Sequence, residues 1–378
     1  MEYPIPVENS ALDEIIGRIN KKGPITFAEF MDVALYLKGG GYYMSARDRW
    51  GKKGDYITNL DVSPVFSRML AKQIHQMWQV LGEPDPFYLV EAGAGRGYLA
   101  EGIADTVSEL YGGFSKTLKI CLVEKNPFLR KPGKKGLAWY DDISRLNHPV
   151  TGCICSQELL DALPFHRVVE REDGLKEIYV GYKNAIFVDV EDKPSKEGLA
   201  EYFRDLGISL FMGQRAEVNL SAKEWIGKAG ALLKEGFVMT IDYGMPASLL
   251  YREGMMGTLL CHYRHTMNDD PYRMVGMQDI TCHVDFTTLK NEGIKSGLMP
   301  AGFTTQRNFL LGLGILEELR EAGGAALKDY EAISFNQGIK KLVMPGDIGD
   351  VMKVFIQSKG VKEPRLLGFS FGGAKEGP

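Results

Sequence analysis

The chain has 378 residues, 44% hydrophobic and 25% charged, with 45 Lys plus Arg against 49 Asp plus Glu. A chain of this size can bury a large core, and a net charge of −4 supplies no global field for nucleic acid, which excludes that partner class on bulk charge. The first ten residues carry no basic stretch followed by an apolar one, and no apolar run is long enough for a bilayer. The five cysteines include no C-x-x-C pair, so no membrane partner, disulfide framework or zinc ribbon is expected, and the compartment reads as a reducing cytoplasm.

Residues 8–37 carry two helical patterns, separated by Lys22-Gly23-Pro24 and restarted by Thr26 with Glu29 three residues on, a capping box. A loop rich in glycine and aromatics runs from Gly39 to Tyr43 and on through Gly54-Asp-Tyr56-Ile-Thr58. Ser63-Pro64 then opens a helix to about Leu81. From Pro86 strands and helices alternate, with strands predicted at 87–92, 118–124, 136–140, 150–156 and 236–242, and helices at 96–111, 126–131 and 221–234. Such βα units predict an α/β fold, a mainly parallel sheet with helices on both faces. Residues 165–190 alternate apolar and polar and turn at Asp173-Gly174, as a hairpin or meander does. Residues 245–285 lack clear periodicity and read as a long functional loop or cap. The tail from Gly302 predicts a strand, helical patterns around 313–338 and a last strand at 351–358, antiparallel strands edging the sheet. The domain reading is an N-terminal helical extension with a cofactor-covering loop (1–82), then a core (83–378). Insertions at about 165–215 and 245–285 form a substrate cap.

The most informative segment is Leu89-Val-Glu91-Ala-Gly93-Ala94-Gly95-Arg-Gly97-Tyr98, an apolar run, an acid and three alternating glycines. It reads as a strand ending in a tight turn that opens a helix, where backbone approaches a ligand. The dinucleotide fingerprint G-x-G-x-x-G needs glycine at 98, where Tyr98 stands, so nicotinamide chemistry is the runner-up. The spacing (acid)-x-G-x-G-x-G resembles motif I of the class I S-adenosylmethionine-dependent methyltransferases. That cofactor needs close backbone approach, met at Gly93-Ala94-Gly95, a carboxylate for its ribose diol, and recognition of its adenine. Glu91 can order the turn or accept from the ligand's ammonium. Glu124, closing the second strand, can take both ribose hydroxyls. Asp142 can accept from the adenine amino group while the Ile143 N–H donates to the ring, with Asp141 competing for the first role.

The chain resembles the MidA-like methyltransferases, a family that includes a mitochondrial protein-arginine methyltransferase. The resemblance rests on Gly41-Tyr-Tyr43, Gly54-Asp-Tyr-Ile-Thr58, Ser63 with Phe66, Leu89-Val-Glu91 with Gly93 to Gly97, and Glu158-Leu-Leu-Asp-Ala-Leu-Pro164. Asp242-Tyr-Gly244, His265, Asp279-Ile-Thr281 and Val284-Asp-Phe286 extend it over most of the chain. It implies a Rossmann-like core with added N-terminal helices, S-adenosylmethionine as cofactor and a protein substrate, with an arginine guanidinium as acceptor. It also implies that Tyr56, Thr58 and Ser63 cover the cofactor's amino-acid end and that Gln157 lies at the cofactor. Thr58 and Ser63 also suit turn and N-cap positions. Two positions depart from the family: Ala94 where mitochondrial members have proline, and Gln157 where relatives have His or Asn.

Methyl transfer from a sulfonium is an in-line displacement, in which holding the reactants in line can supply much of the rate. Ser156 to Pro164 leaves the fourth strand, where this fold puts the acceptor. Glu158 and Asp161 lie three apart and share a face if the segment is a helical turn, suiting a guanidinium. Asp161 alternatively caps that turn or pairs with Arg167. His262-Tyr-Arg-His265 matches no common zinc spacing, so no metal is expected. His265, a candidate general base, and His283 instead suit closure of the acceptor pocket, and Asp269-Asp270 can lend its rim negative charge. A small-molecule N- or O-methyltransferase and a non-catalytic cofactor-binding assembly factor are the alternatives.

Overall fold

The computed structural model describes residues 10–45, 64–130, 136–319, 326–372 and 377–378. Contacts divide the chain into two compact units. An antiparallel unit gathers Met1–Tyr56, Leu160–Glu224 and Gly244–Thr288, and a core unit gathers Ile57–Leu159, Trp225–Tyr243 and Leu289–Pro378. Segment 1–82 is therefore shared: helices Ser10–Lys22 and Phe27–Tyr36 fall in the first unit and helix Val65–Val80 in the second.

The core unit is built on seven strands: β1 (Phe87–Ala92), β2 (Leu118–Val123), β3 (Leu137–Tyr140), β4 (Val150–Gln157), β5 (Leu233–Met245), β6 (Met299–Thr305) and β7 (Met352–Lys359). Their spatial order is β3-β2-β1-β4-β5-β7-β6. The five from β3 to β5 run parallel, and β7 is antiparallel to both neighbours. Parallel strands covered on both faces read as continuous apolar runs. Accordingly Leu89 and Val90 of β1, and Cys153 and Ile154 of β4, are fully buried. Helix Tyr98–Leu110 buries Leu99, Ala100, Ile103 and Val107, an apolar stripe at helical spacing, against that sheet's core. Chain order reverses between β1 and β4, and ligands of open α/β sheets bind outside the carboxyl ends of the strands at such a point.

In the antiparallel unit the 165–190 alternation becomes strands His166–Arg171, Gly174–Lys183 and Ile186–Asp192, joined by Ile25–Thr26 and Arg215–Val218 in one sheet. Thr26 caps helix Phe27–Tyr36 by accepting from the Glu29 N–H at 3.1 Å; the Glu29 carboxylate instead pairs with Lys22 and Arg18. The 245–285 region holds a second sheet of Leu260–Tyr263, Thr266–Asn268 and Asp279–Thr281. Three- and four-residue strands give too few alternations to register as a period. The helix expected at 126–131 is a turn over 127–129. The Asn126 side chain accepts from the Phe128 N–H at 2.9 Å, an Asx turn completed by Pro127. All five cysteines are buried, and none forms a disulfide. Among the described residues no helix is long and apolar enough to cross a membrane.

Candidate active site

The glycine turn lies at the carboxyl end of β1, at the switch point. Gly93, Gly95 and Gly97 all have left-handed backbone, with φ of 71°, 53° and 78°. The N–H groups of Gly93 and Ala94 both donate to the Val123 carbonyl, and Gly97 N–H donates to the Ala94 carbonyl at 2.7 Å. A Cβ at Gly93 would stand 2.9 Å from Leu159 Cδ1, and one at Gly97 would stand 3.0 Å from Leu122 Cδ1. At 93 and 97, then, φ favours glycine, and a Cβ would also crowd the methyls of Leu159 and Leu122. Gly95 is the turn residue whose N–H is held by a carboxylate: it donates to Glu124 Oε2 at 2.9 Å.

Glu124 follows β2 directly and is half-buried, with Oε1 accepting from the Asn126 N–H at 2.7 Å. Each carboxylate oxygen can accept more than one hydrogen bond, so both remain chemically suited to vicinal hydroxyls. Glu91 is 6% exposed, and its Oε2 accepts from the Ala100 N–H at 3.1 Å. Burial pushes its carboxyl up to about 8; the Ala100 bond opposes this and the charge of Glu124 adds to it. Of the two roles open to Glu91, the structure displays the ordering of the turn and helix start.

Asp142 caps the one-turn helix Ile143–Arg145 by accepting from the Ser144 N–H at 2.8 Å, and the Ser144 hydroxyl, followed by that N–H, holds its carboxyl below the usual range. The side chain stays exposed, whereas Ile143 is buried. Asp141 pairs with Arg145 at 3.5 Å. Tyr56, Thr58 and Ser63 lie outside the described residues.

At the end of β4, Gln157 Nε2 donates to Glu158 Oε1 at 3.0 Å. Glu158 has φ +49°, its N–H donates to the Ile241 carbonyl at 3.0 Å, and the next N–H, of Leu159, reaches Asp242 Oδ2 at 3.2 Å. The helical turn expected to align Glu158 with Asp161 does not form; 158–164 is bends and turns. The left-handed bend at Glu158 breaks any helix at its start, and the carbonyls beyond it find tertiary donors. Within the antiparallel unit, Asn219 Nδ2 donates to Leu160 and Leu163, the Cys282 N–H to Asp161, Tyr36 to Ala162 and Ser221 to Pro164. Asp161 is buried on that clamped turn. Arg167, its alternative partner, forms its ion pair with Asp189 at 3.0 Å.

His265 is exposed. With Arg264 it makes the two-residue loop between Leu260–Tyr263 and Thr266–Asn268, both at positive φ as in a type I′ turn. Among the described residues no group of three or more His, Cys, Asp or Glu is arranged to hold a metal. Sequence reasoning did not single out Asn219 or Asp242 as site residues. Asp242 carries the signal that marked Glu91 and Glu124, an acid closing an apolar strand.

The sheet order, with its antiparallel β7 between β5 and β6, and the glycine turn and Glu124 at its switch point define a class I S-adenosylmethionine-dependent methyltransferase. Residues 69–304 match the family described as "Putative S-adenosyl-L-methionine-dependent methyltransferase", and the chain belongs to that family. A Burkholderia thailandensis protein solved with S-adenosyl-homocysteine bound superposes with a TM-score of 0.88 at 28% identity, over 99% of each chain. The mitochondrial protein arginine methyltransferase NDUFAF7 of Xenopus laevis is 26% identical over 92% of this chain and 84% of its own. Its counterpart in Danio rerio is 27% identical over 82% and 78%.

Proposed function

We propose that this methyltransferase acts on a protein side chain, with an arginine guanidinium as acceptor, and that Glu158 is the residue that engages it. The observation that carries this reading is a non-glycine carboxylate held in left-handed backbone at the carboxyl end of β4, adjoining the glycine turn through Leu159. Strained backbone of this kind persists only where the surroundings over-determine it, and it clusters at functional sites. The relatives named as protein arginine methyltransferases support the choice of acceptor.

Bound S-adenosylmethionine supplies an electrophilic methyl on a sulfonium and departs as S-adenosylhomocysteine. Gly93-Ala94-Gly95 gives backbone approach, and Glu124 accepts from the ribose hydroxyls. Asp142 and the Ile143 N–H would hold the adenine, and Gln157 would line the cofactor. Glu158 binds the guanidinium through its carboxylate and orients the attacking nitrogen; as the N–CH3 bond forms and the CH3–S bond breaks, that nitrogen gives up one proton to the Glu158 carboxylate, which passes it to solvent, and the product remains a singly charged methylguanidinium. Asp161 and His265 are not needed for this reading: the shared helical face that recommended Asp161 is absent, and His265 is an exposed turn residue.

The test is incubation with S-adenosylmethionine labelled in the methyl group and a cell lysate, followed by hydrolysis of the labelled product. Label in methylarginines supports the proposal, whereas label in dialysable product alone favours a small-molecule acceptor. A cytoplasmic, reducing setting is also proposed, supported by five buried cysteines of which none forms a disulfide. Fractionation of cells tests it.

A further inference from the structure

We infer that Asp242 is a positioning residue for methyl transfer, acting through Glu158; the inference rests on the acceptor reading of Glu158 given above. Asp242 is on β5 and fully buried. Among the described residues its carboxylate accepts from two backbone donors, Oδ1 from the Tyr243 N–H at 2.9 Å and Oδ2 from the Leu159 N–H at 3.2 Å. The preceding carbonyl, of Ile241, takes the Glu158 N–H at 3.0 Å. Two successive amides at the end of β4 are thus both held by the end of β5, and the residue between them is driven to φ +49°. Lys353, in register with Asp242 on β7, directs its ammonium to the carbonyls of Asp350 and Val351 at 2.7 and 2.8 Å.

The consequence reaches the cofactor turn as well. Leu159, anchored by Asp242 at its N–H, packs its side chain against Gly93 where a Cβ would otherwise stand. One buried carboxylate therefore fixes both the direction of Glu158 and the contact that closes the acceptor bend on the glycine turn. A carboxylate can serve two N–H donors on two oxygens. An amide has one oxygen and must turn its NH2 toward the second donor.

The experiment uses the full-length protein, label transfer from tritiated S-adenosylmethionine to a panel of arginine-containing peptides, and titration with S-adenosylhomocysteine. Asp242→Asn is expected to lower kcat by about 10- to 100-fold, the scale of a lost charge-assisted hydrogen bond, and to weaken S-adenosylhomocysteine binding by the smaller factor, about two- to fivefold, that a loosened Leu159 contact on the glycine turn gives. In a Glu158→Gln background the same substitution should add little, because residues acting as a unit are non-additive. Hydrogen exchange of the unaltered protein gives a readout independent of any variant's folding, and the Leu159 amide should be protected. Wild-type kinetics in Asp242→Asn, full additivity with Glu158→Gln, or rapid exchange at Leu159 would each overturn the inference. Unimpaired Glu158→Gln, or a wild-type protein that labels none of the peptides, would instead remove the acceptor reading and the inference with it.

Discussion

Glu91 lends itself to a quantitative prediction because it is buried, singly hydrogen-bonded to the Ala100 N–H and pushed to about 8. In the unfolded chain it ionises near 4.5. The native state therefore holds this proton through a window in which the unfolded state has released it. Stability from this group is fully present below pH 4.5 and is lost as pH rises through 8. At ~1.4 kcal/mol per unit, the loss across the window approaches ~5 kcal/mol, of which ~3 kcal/mol has gone by pH 7. Glu91→Gln keeps an oxygen for the Ala100 N–H and removes the titration. The assay is denaturant unfolding from pH 5 to pH 9, followed by tryptophan fluorescence, since Trp78, Trp139 and Trp225 all lie in the core unit. The variant should gain on wild type as pH rises, by ~4 kcal/mol between these limits, and the gap should level off above pH 9. A difference that stays constant across the range would refute the reasoning.

Glu158→Gln should leave S-adenosylhomocysteine affinity unchanged and lower turnover by about 10-fold or more, the scale of a lost charge-assisted contact; this is read by parallel titration and label transfer. Asn219→Asp keeps the oxygen that accepts from the Ala222 N–H and so preserves the start of helix Leu220–Leu232, but it loses the donors to Leu160 and Leu163. Denaturant unfolding should show a loss of ~1–2 kcal/mol. Asn219→Ala, which also loses the cap, should cost a further ~1 kcal/mol.

Strands β1 to β4 and the 236–242 stretch of β5 were legible because each holds a short, nearly unbroken apolar run, as strands of a covered parallel sheet do. Gly93 to Gly97 and the acids Glu91 and Glu124 were legible for a related reason: strand ends and tight turns leave marks within a few residues. The 158–164 segment was not. Its i, i+3 acids suggest a helical turn, yet its conformation is set by Asn219, Ser221, Tyr36 and the Cys282 amide, donors far away in sequence. At 126–131 the Asn126-Pro127 pair, whose turn chemistry is the stronger signal, prevails over the expected helix. The glycines carried a double meaning that the sequence could not separate, because the Leu159 methyl that crowds position 93 belongs to a different βα unit.

The central claim is that the turn at 93–97, with Glu124, forms the cofactor site. Its most direct test is calorimetric titration of S-adenosylhomocysteine into the wild-type protein and into Gly95→Val, whose branched side chain would occupy the approach at a residue with φ +53°. The account predicts one-to-one binding by the wild type and none by a Gly95→Val variant that remains folded. Equal binding by the two proteins, or no binding by the wild type, would contradict it.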